Sequence, residues 1–201
     1  TVSPLVDIRS RLDEQSSREV FTVESPQPAY WRMTALDTFD GTIWRSGGKY
    51  QAADGSLPAD LPGATTGTRI QQTFTITGLS AIWLPAAYQQ VAIDAGDADV
   101  RYQPSSSTLI VDTDLESSDD LVYVVESAIP TIDPEMLAAT TELDLDDDLE
   151  DLTDLPNGFS ATAAGLAQDI VSVAGATTPY EQALALQDFF REKGGFEYDL
   201  D

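Results

Sequence analysis

RIQQTFTIT, residues 69–77, alternates without a break. Ile70, Gln72, Phe74 and Ile76 fall on one face, and Gln71, Thr73, Thr75 and Thr77 on the other. Successive side chains of a strand point to opposite faces, so this stretch predicts a half-buried β-strand. REVFTVES (18–25) alternates in the same way, with Val20 and Thr22 opposed to Phe21 and Val23. AYWRMTALDTF (29–39) reads as a second strand carrying large aromatics, Asp40-Gly41 as a hairpin-type turn, and TIWR (42–45) as its return. Residues 46–68 carry Gly, Pro, Asp and Thr with little periodicity and read as a long surface loop. Downstream, AIWLPAAY (81–88) is apolar but broken by Pro85, which suits an edge or corner. Shorter runs follow at QVAID, DVRYQ, STLIVD and DLVYVVES. Short strands separated by turn signals predict an antiparallel β-sandwich or open barrel over about residues 18–126.

The period changes after Pro130. DPEMLAATTE can start a short helix, and SATAAGLAQDIVSVAG (160–175) places Leu166, Ile170 and Val173 on one stripe with Gly175 as a stop. TPYEQALALQDFFREKGG (178–195) carries the fullest set of helix signals. Thr178 is an N-cap, Pro179 opens the helix and Glu181 completes a capping box. Ala183, Leu186 and Phe190, joined by Phe189, form its apolar stripe. Arg191 and Lys193 oppose the dipole at the C-terminal end, and Gly194-Gly195 stops it. The expected class is α+β: a β domain followed by a small C-terminal helical segment. The expected divisions are a lead-in segment at 1–16, the β domain at 17–130, an acidic linker at 131–157 and the helical segment at 158–201.

Composition narrows the chemistry. The 201 residues include 35 acids against 10 Lys and Arg, no Cys and no His, for a formal charge of −25. Without Cys or His there is no disulfide, no thiol nucleophile and no complete Ser-His-Asp or Cys-His site within these residues. The negative field repels phosphate backbones, so no nucleic-acid partner is expected. Carboxylate chemistry, oxygen-ligated cations, or no chemistry at all remain.

Three groups invite a functional reading. Tyr30, Trp31, Trp44 and Trp83 could stack on sugar rings, but their apolar surroundings favour a sandwich core whose indoles reach partners at the rim. Asp37 and Asp40 could pair as a glycosidase dyad, but a turn before Gly41 and a cap at the strand end explain both. In the acidic run from Glu142 to Asp154, Asp144, Asp146 and Asp148 have the first spacings of a calcium loop. Leu149 then stands where Gly is needed and Leu155 where the bidentate Glu belongs, so weak, unspecific cation attraction is expected. Arg9, Arg11, Arg32 and Arg45 are scarce cations, and internal ion pairs explain them better than an anion site. No catalytic, cofactor-binding or metal-binding residue is assigned.

Several strings together resemble a known family: SPLVDIRSRL, VFTVES, AYWRMTALDTFDGTIWR, LSAIWLPAAY, SSTLIVD and TPYEQALALQDFFREKGGFEYDL. In this order they resemble membrane-anchored, transglutaminase-like proteins of actinobacteria, the TgpA type. The most specific signal is the Tyr-Trp-Arg…Asp-x-Phe-Asp-Gly-x-x-Trp string from Tyr30 to Trp44. The resemblance covers essentially the whole chain except the acidic stretch at 142–154. It implies an extracytoplasmic segment between a bundle of transmembrane helices and a catalytic core with a Cys-His-Asp site. Helix 179–193 and FEYDLD resemble the opening elements of that core. No residue here matches the catalytic three, and the start without Met agrees with an excised segment. The implied role is a non-catalytic domain that supports or positions the core; a wall- or carbohydrate-binding sandwich is the alternative. The implied partners are the downstream core, cell-wall or protein substrate, and a second copy through the C-terminal end.

Overall fold

A computed structural model describes residues 19–40, 43–46, 48–53, 55–58, 67–79, 81–111, 120–140 and 153–195. The chain divides into two compact units. Of the described residues, 19–38 and 44–131 make up a β unit. Phe39, Asp40, Ile43, 132–140 and 153–195 make up the second.

The β unit is built on β7 (Thr68–Ile76), the strand whose alternation opened the sequence reading. Ile70, Gln72, Phe74 and Ile76 are buried, while Arg69 and Gln71 are exposed and Thr73 and Thr75 half-exposed. On one side β7 pairs antiparallel with β1 (Phe21–Glu24), on the other with β13 (Val122–Ile129). Beyond β13 come β10 (Gln90–Asp94) and the short edge β6 (Gly55–Ser56), giving the order β1-β7-β13-β10-β6. The second sheet has the order β5 (Gln51–Ala52), β11 (Val100–Gln103), β12 (Thr108–Val111), β8 (Trp83–Leu84), again antiparallel. β2 (Trp31–Arg32) pairs with β9 (Ala86–Ala87), and β3 (Thr38–Phe39) with β4 (Trp44–Arg45).

One core joins the two larger sheets. Phe74, Ile76, Ile93, Tyr123 and Val125 come from the first, and Leu84, Val100, Tyr102, Leu109 and Val111 from the second. Two inner faces meeting over one apolar layer make a sandwich-like β fold. Among the described residues neither sheet closes on itself, so there is no closed barrel. Phe74 and Tyr123 stack with centroids 5.1 Å apart, and the Tyr123 hydroxyl donates to the Pro85 carbonyl at 2.7 Å. Burial pushes that phenol well above its ordinary pKa, so it stays a neutral donor.

Two sequence expectations need revision. Residues 29–39 are not one strand, because β2 and β3 pair with different partners and the chain between them is irregular. Within that interval the Ala35 amide bonds to Thr108 Oγ1 rather than to a ladder. The supposed loop at 46–68 contributes edge strands β5 and β6 and buries Leu57. Two-residue bridges carry no periodicity for a sequence to display.

In the second unit, α1 (Pro134–Ala138) is capped by Asp133. Ser160 caps α2 (Ala161–Ala174), which ends on Gly175 in the left-handed conformation at φ +66°. α3 (Pro179–Asp188) opens with the expected capping box and continues into a π-helical turn at Phe189–Lys193. α1 and α2 both pack on α3. The α2 stripe is rotated from the expected one: Ala164, Ala167, Ile170 and Val171 are half-buried, whereas Val173 is 90% exposed. No described helix is long and apolar enough to cross a membrane.

Candidate functional site

The four aromatics singled out in the sequence do not share one sheet. Trp31 lies in the β2–β9 pair, Trp83 in the four-stranded sheet and Trp44 in the β3–β4 pair. Trp31 is half-buried against the core and its Nε1–H donates to Gln72 Oε1 at 3.2 Å. That oxygen also accepts the Ala87 amide at 3.2 Å, while Gln72 Nε2 donates to Ser127 Oγ at 2.9 Å. The Ser127 hydroxyl in turn donates to the Ala87 carbonyl at 2.9 Å. The Trp31 indole thus has the expected partner. Trp83 is half-buried. Trp44, at 45% exposed, and Tyr30, at 98%, are the open members.

Asp37 and Asp40 take separate structural tasks. Asp40 Oδ1 accepts the Ile43 amide at 2.8 Å, closing the turn that the Asp-Gly pair announced. Asp37 belongs to a polar group around the fully buried Gln103. Gln103 Nε2 lies 3.4 Å from Asp37 Oδ2 and 3.3 Å from Ser105 Oγ, and Ser46 Oγ donates to Gln103 Oε1 at 2.7 Å. Burial raises the pKa of the nearby Tyr50. Gly48 lets the chain pass this group. A Cβ there would collide with Gln103 Nε2 and crowd Ser105 Oγ at 2.7 Å. Asp37, Ser46, Gln103 and Ser105 thus form one hydrogen-bonded group.

Arg32 departs from the expected ion pair. Its Nη2–H donates to the Ser106 carbonyl at 2.7 Å, and its guanidinium carbon sits 4.5 Å from the centroid of the Tyr88 ring. Among the described residues no carboxylate pairs with it, and its buried Nε–H finds no acceptor. Burial lowers its pKa, opposed by the Tyr88 and Tyr102 phenols. Arg45 is exposed, and its carbonyl accepts the Asp37 amide at 3.1 Å. Arg9 and Arg11 lie outside the described residues, as do Asp144, Asp146, Asp148 and Leu149 of the acidic run. Leu155 is exposed. Among the described residues no group of three or more acids is placed to hold a metal ion.

Sequence reasoning missed the buried amides of Gln72 and Gln103. Gln72 was visible as the polar residue in the buried phase of 70–76; Gln103 had no such signal.

The family model described as the TgpA N-terminal domain matches residues 1–134. Two solved structures of the periplasmic domain of TgpA from Pseudomonas aeruginosa are similar in fold. One, bound to ethylmercury, is 21% identical with a TM-score of 0.57, and the match covers 100% of this chain and 64% of that one. The other is 21% identical with a TM-score of 0.53, covering 93% of this chain and 60% of that one. This chain thus spans under two thirds of the structures it resembles. No curated protein matches it.

Proposed function

Because the chain belongs to the TgpA N-terminal domain family, we propose that it is a non-catalytic, extracytoplasmic accessory domain. It supports or positions a transglutaminase-like core downstream in the same polypeptide, in a membrane-anchored protein of the actinobacterial kind. The observation that carries this reading is chemical: the 201 residues contain neither Cys nor His. A thiol acyltransferase needs a thiolate to attack the amide and a base to activate it. The periplasmic source of the similar structures supports the location. A second reading, a wall- or carbohydrate-binding sandwich, draws on the exposed Tyr30 and Trp44.

The test compares the 201-residue chain with the polypeptide extended through a downstream Cys and His. The chain alone is expected to leave an acyl-donor peptide untouched, and the extended protein to turn it over. Turnover by the short chain above a heat-denatured control overturns the reading, as does a downstream reading frame without Cys or His.

A further inference from the structure

Arg32 is an anomaly in a chain of charge −25. With 35 acids available, an internal carboxylate partner costs the sequence little, yet none of the described residues supplies one. A guanidinium has five N–H donors in a planar fork. Here one of them, on Nη2, has an acceptor among the described residues, the Ser106 carbonyl. The Nε–H is buried with no partner. The residue after that acceptor, Ser107, buries a second hydroxyl without one. The cation is backed by the Tyr88 ring at 4.5 Å, and Tyr88 keeps 36% of its surface exposed. Tyr30, two residues before Arg32 in the chain, is almost wholly exposed. A half-desolvated cation with unused donors gains more from an anion than a surface lysine does.

We propose that Arg32, stacked on Tyr88, anchors a site for a carboxylate-bearing ligand on the β unit. A carboxylate fits the guanidinium fork with two parallel hydrogen bonds. The chain's own field disfavours multiply charged anions in proportion to their charge, so a singly charged acid group such as a peptide carboxyl is the matched occupant. The aromatic surface beside it suits a ligand whose carboxylate is attached to a small organic body. This site is independent of whether a catalytic core follows.

The test is an NMR titration of the 201-residue chain at constant ionic strength. The probes are N-acetylalanine, its uncharged amide, and inorganic phosphate. The Arg32 Nε–H signal is the direct reporter. The expected result is a saturable shift of that signal and of the Tyr88 ring with N-acetylalanine, with Kd on the order of 1–10 mM. The amide is expected to produce none. Arg32→Lys keeps the charge and loses the fork, and weakens binding by about tenfold or more. Tyr88→Leu weakens it by about two- to fivefold. If Arg32→Lys fails to fold by near-UV circular dichroism, Tyr88→Leu and the wild-type titration decide. An absent or unsaturable response, an equal response to the amide, or undiminished binding in a folded Arg32→Lys overturns the proposal. Phosphate binding as tight as the acid's overturns the carboxylate assignment.

Discussion

Gln72 shows how one polar residue in an apolar phase can organise its surroundings. It is fully buried in β7 and serves Trp31 Nε1, the Ala87 amide and Ser127 Oγ together. Gln72→Leu keeps the volume nearly constant and isolates the loss of hydrogen bonds. The Trp31 and Ala87 donors would then be left without their acceptor, and a buried orphan costs about 1–3 kcal/mol. A loss of about 2–4 kcal/mol, read as a lower urea midpoint at unchanged slope, is therefore expected. A change under about 1 kcal/mol would show that water or a repacked neighbour replaces the amide. The residue itself was legible: a Gln inside the Ile70–Phe74–Ile76 phase is either a defect or a node. Its partners were not, because they come from 15 to 55 residues away in sequence.

At the scale of the element, α3 is the clearest case of a sequence announcing its own structure. Thr178 accepts the Glu181 amide at 3.3 Å, and Glu181 accepts the Thr177 and Thr178 amides at 2.7 and 3.0 Å. With a further bond from the Thr177 hydroxyl, these hold the Glu181 carboxyl below its ordinary 4.5. A folded pKa below the unfolded one means that the stabilisation is present above the unfolded value. It is lost as pH falls through the folded value. Carbon-detected NMR titration should find the Glu181 midpoint below 4.5, and Glu181→Gln should remove this part of the acid sensitivity of α3 while keeping an acceptor. A midpoint at or above the ordinary value would mean that the box is not formed in solution. The stripe on α2 was less legible. Leu166 and Val173 have the right spacing but face outward, while Ala164, Ala167 and Ile170 are more buried. Small residues let helices approach closely, so hydrophobicity alone picks the wrong side of a helix rich in alanine.

For the whole molecule, charge is the dominant sequence-level quantity. At −25 the folded chain repels itself, and salt relieves that repulsion. Raising ionic strength from about 0.01 to 0.15 M shortens the Debye length from about 30 to 8 Å, so Tm should rise over that range. Calcium and sodium salts at equal ionic strength should act alike. A flat or falling Tm, or a saturable calcium site of micromolar affinity by calorimetry, would refute this. The sequence by itself determined the change from period 2 to period 3.6, the long strand β7, the Gly175 stop of α2, the capping box of α3, the turn at Asp40 and the exclusion of thiol and imidazole chemistry. Each of these follows from neighbouring residues or from composition, so no folded context is needed to read it. Tertiary structure alone decided that β2 and β3 are separate strands, that β5 and β6 exist as edges, that Gln103 is buried, and that Arg32 meets Tyr88 and a carbonyl. Those features depend on segments brought together from far along the chain, where pairing partners rather than local pattern set the conformation and the burial of each side chain.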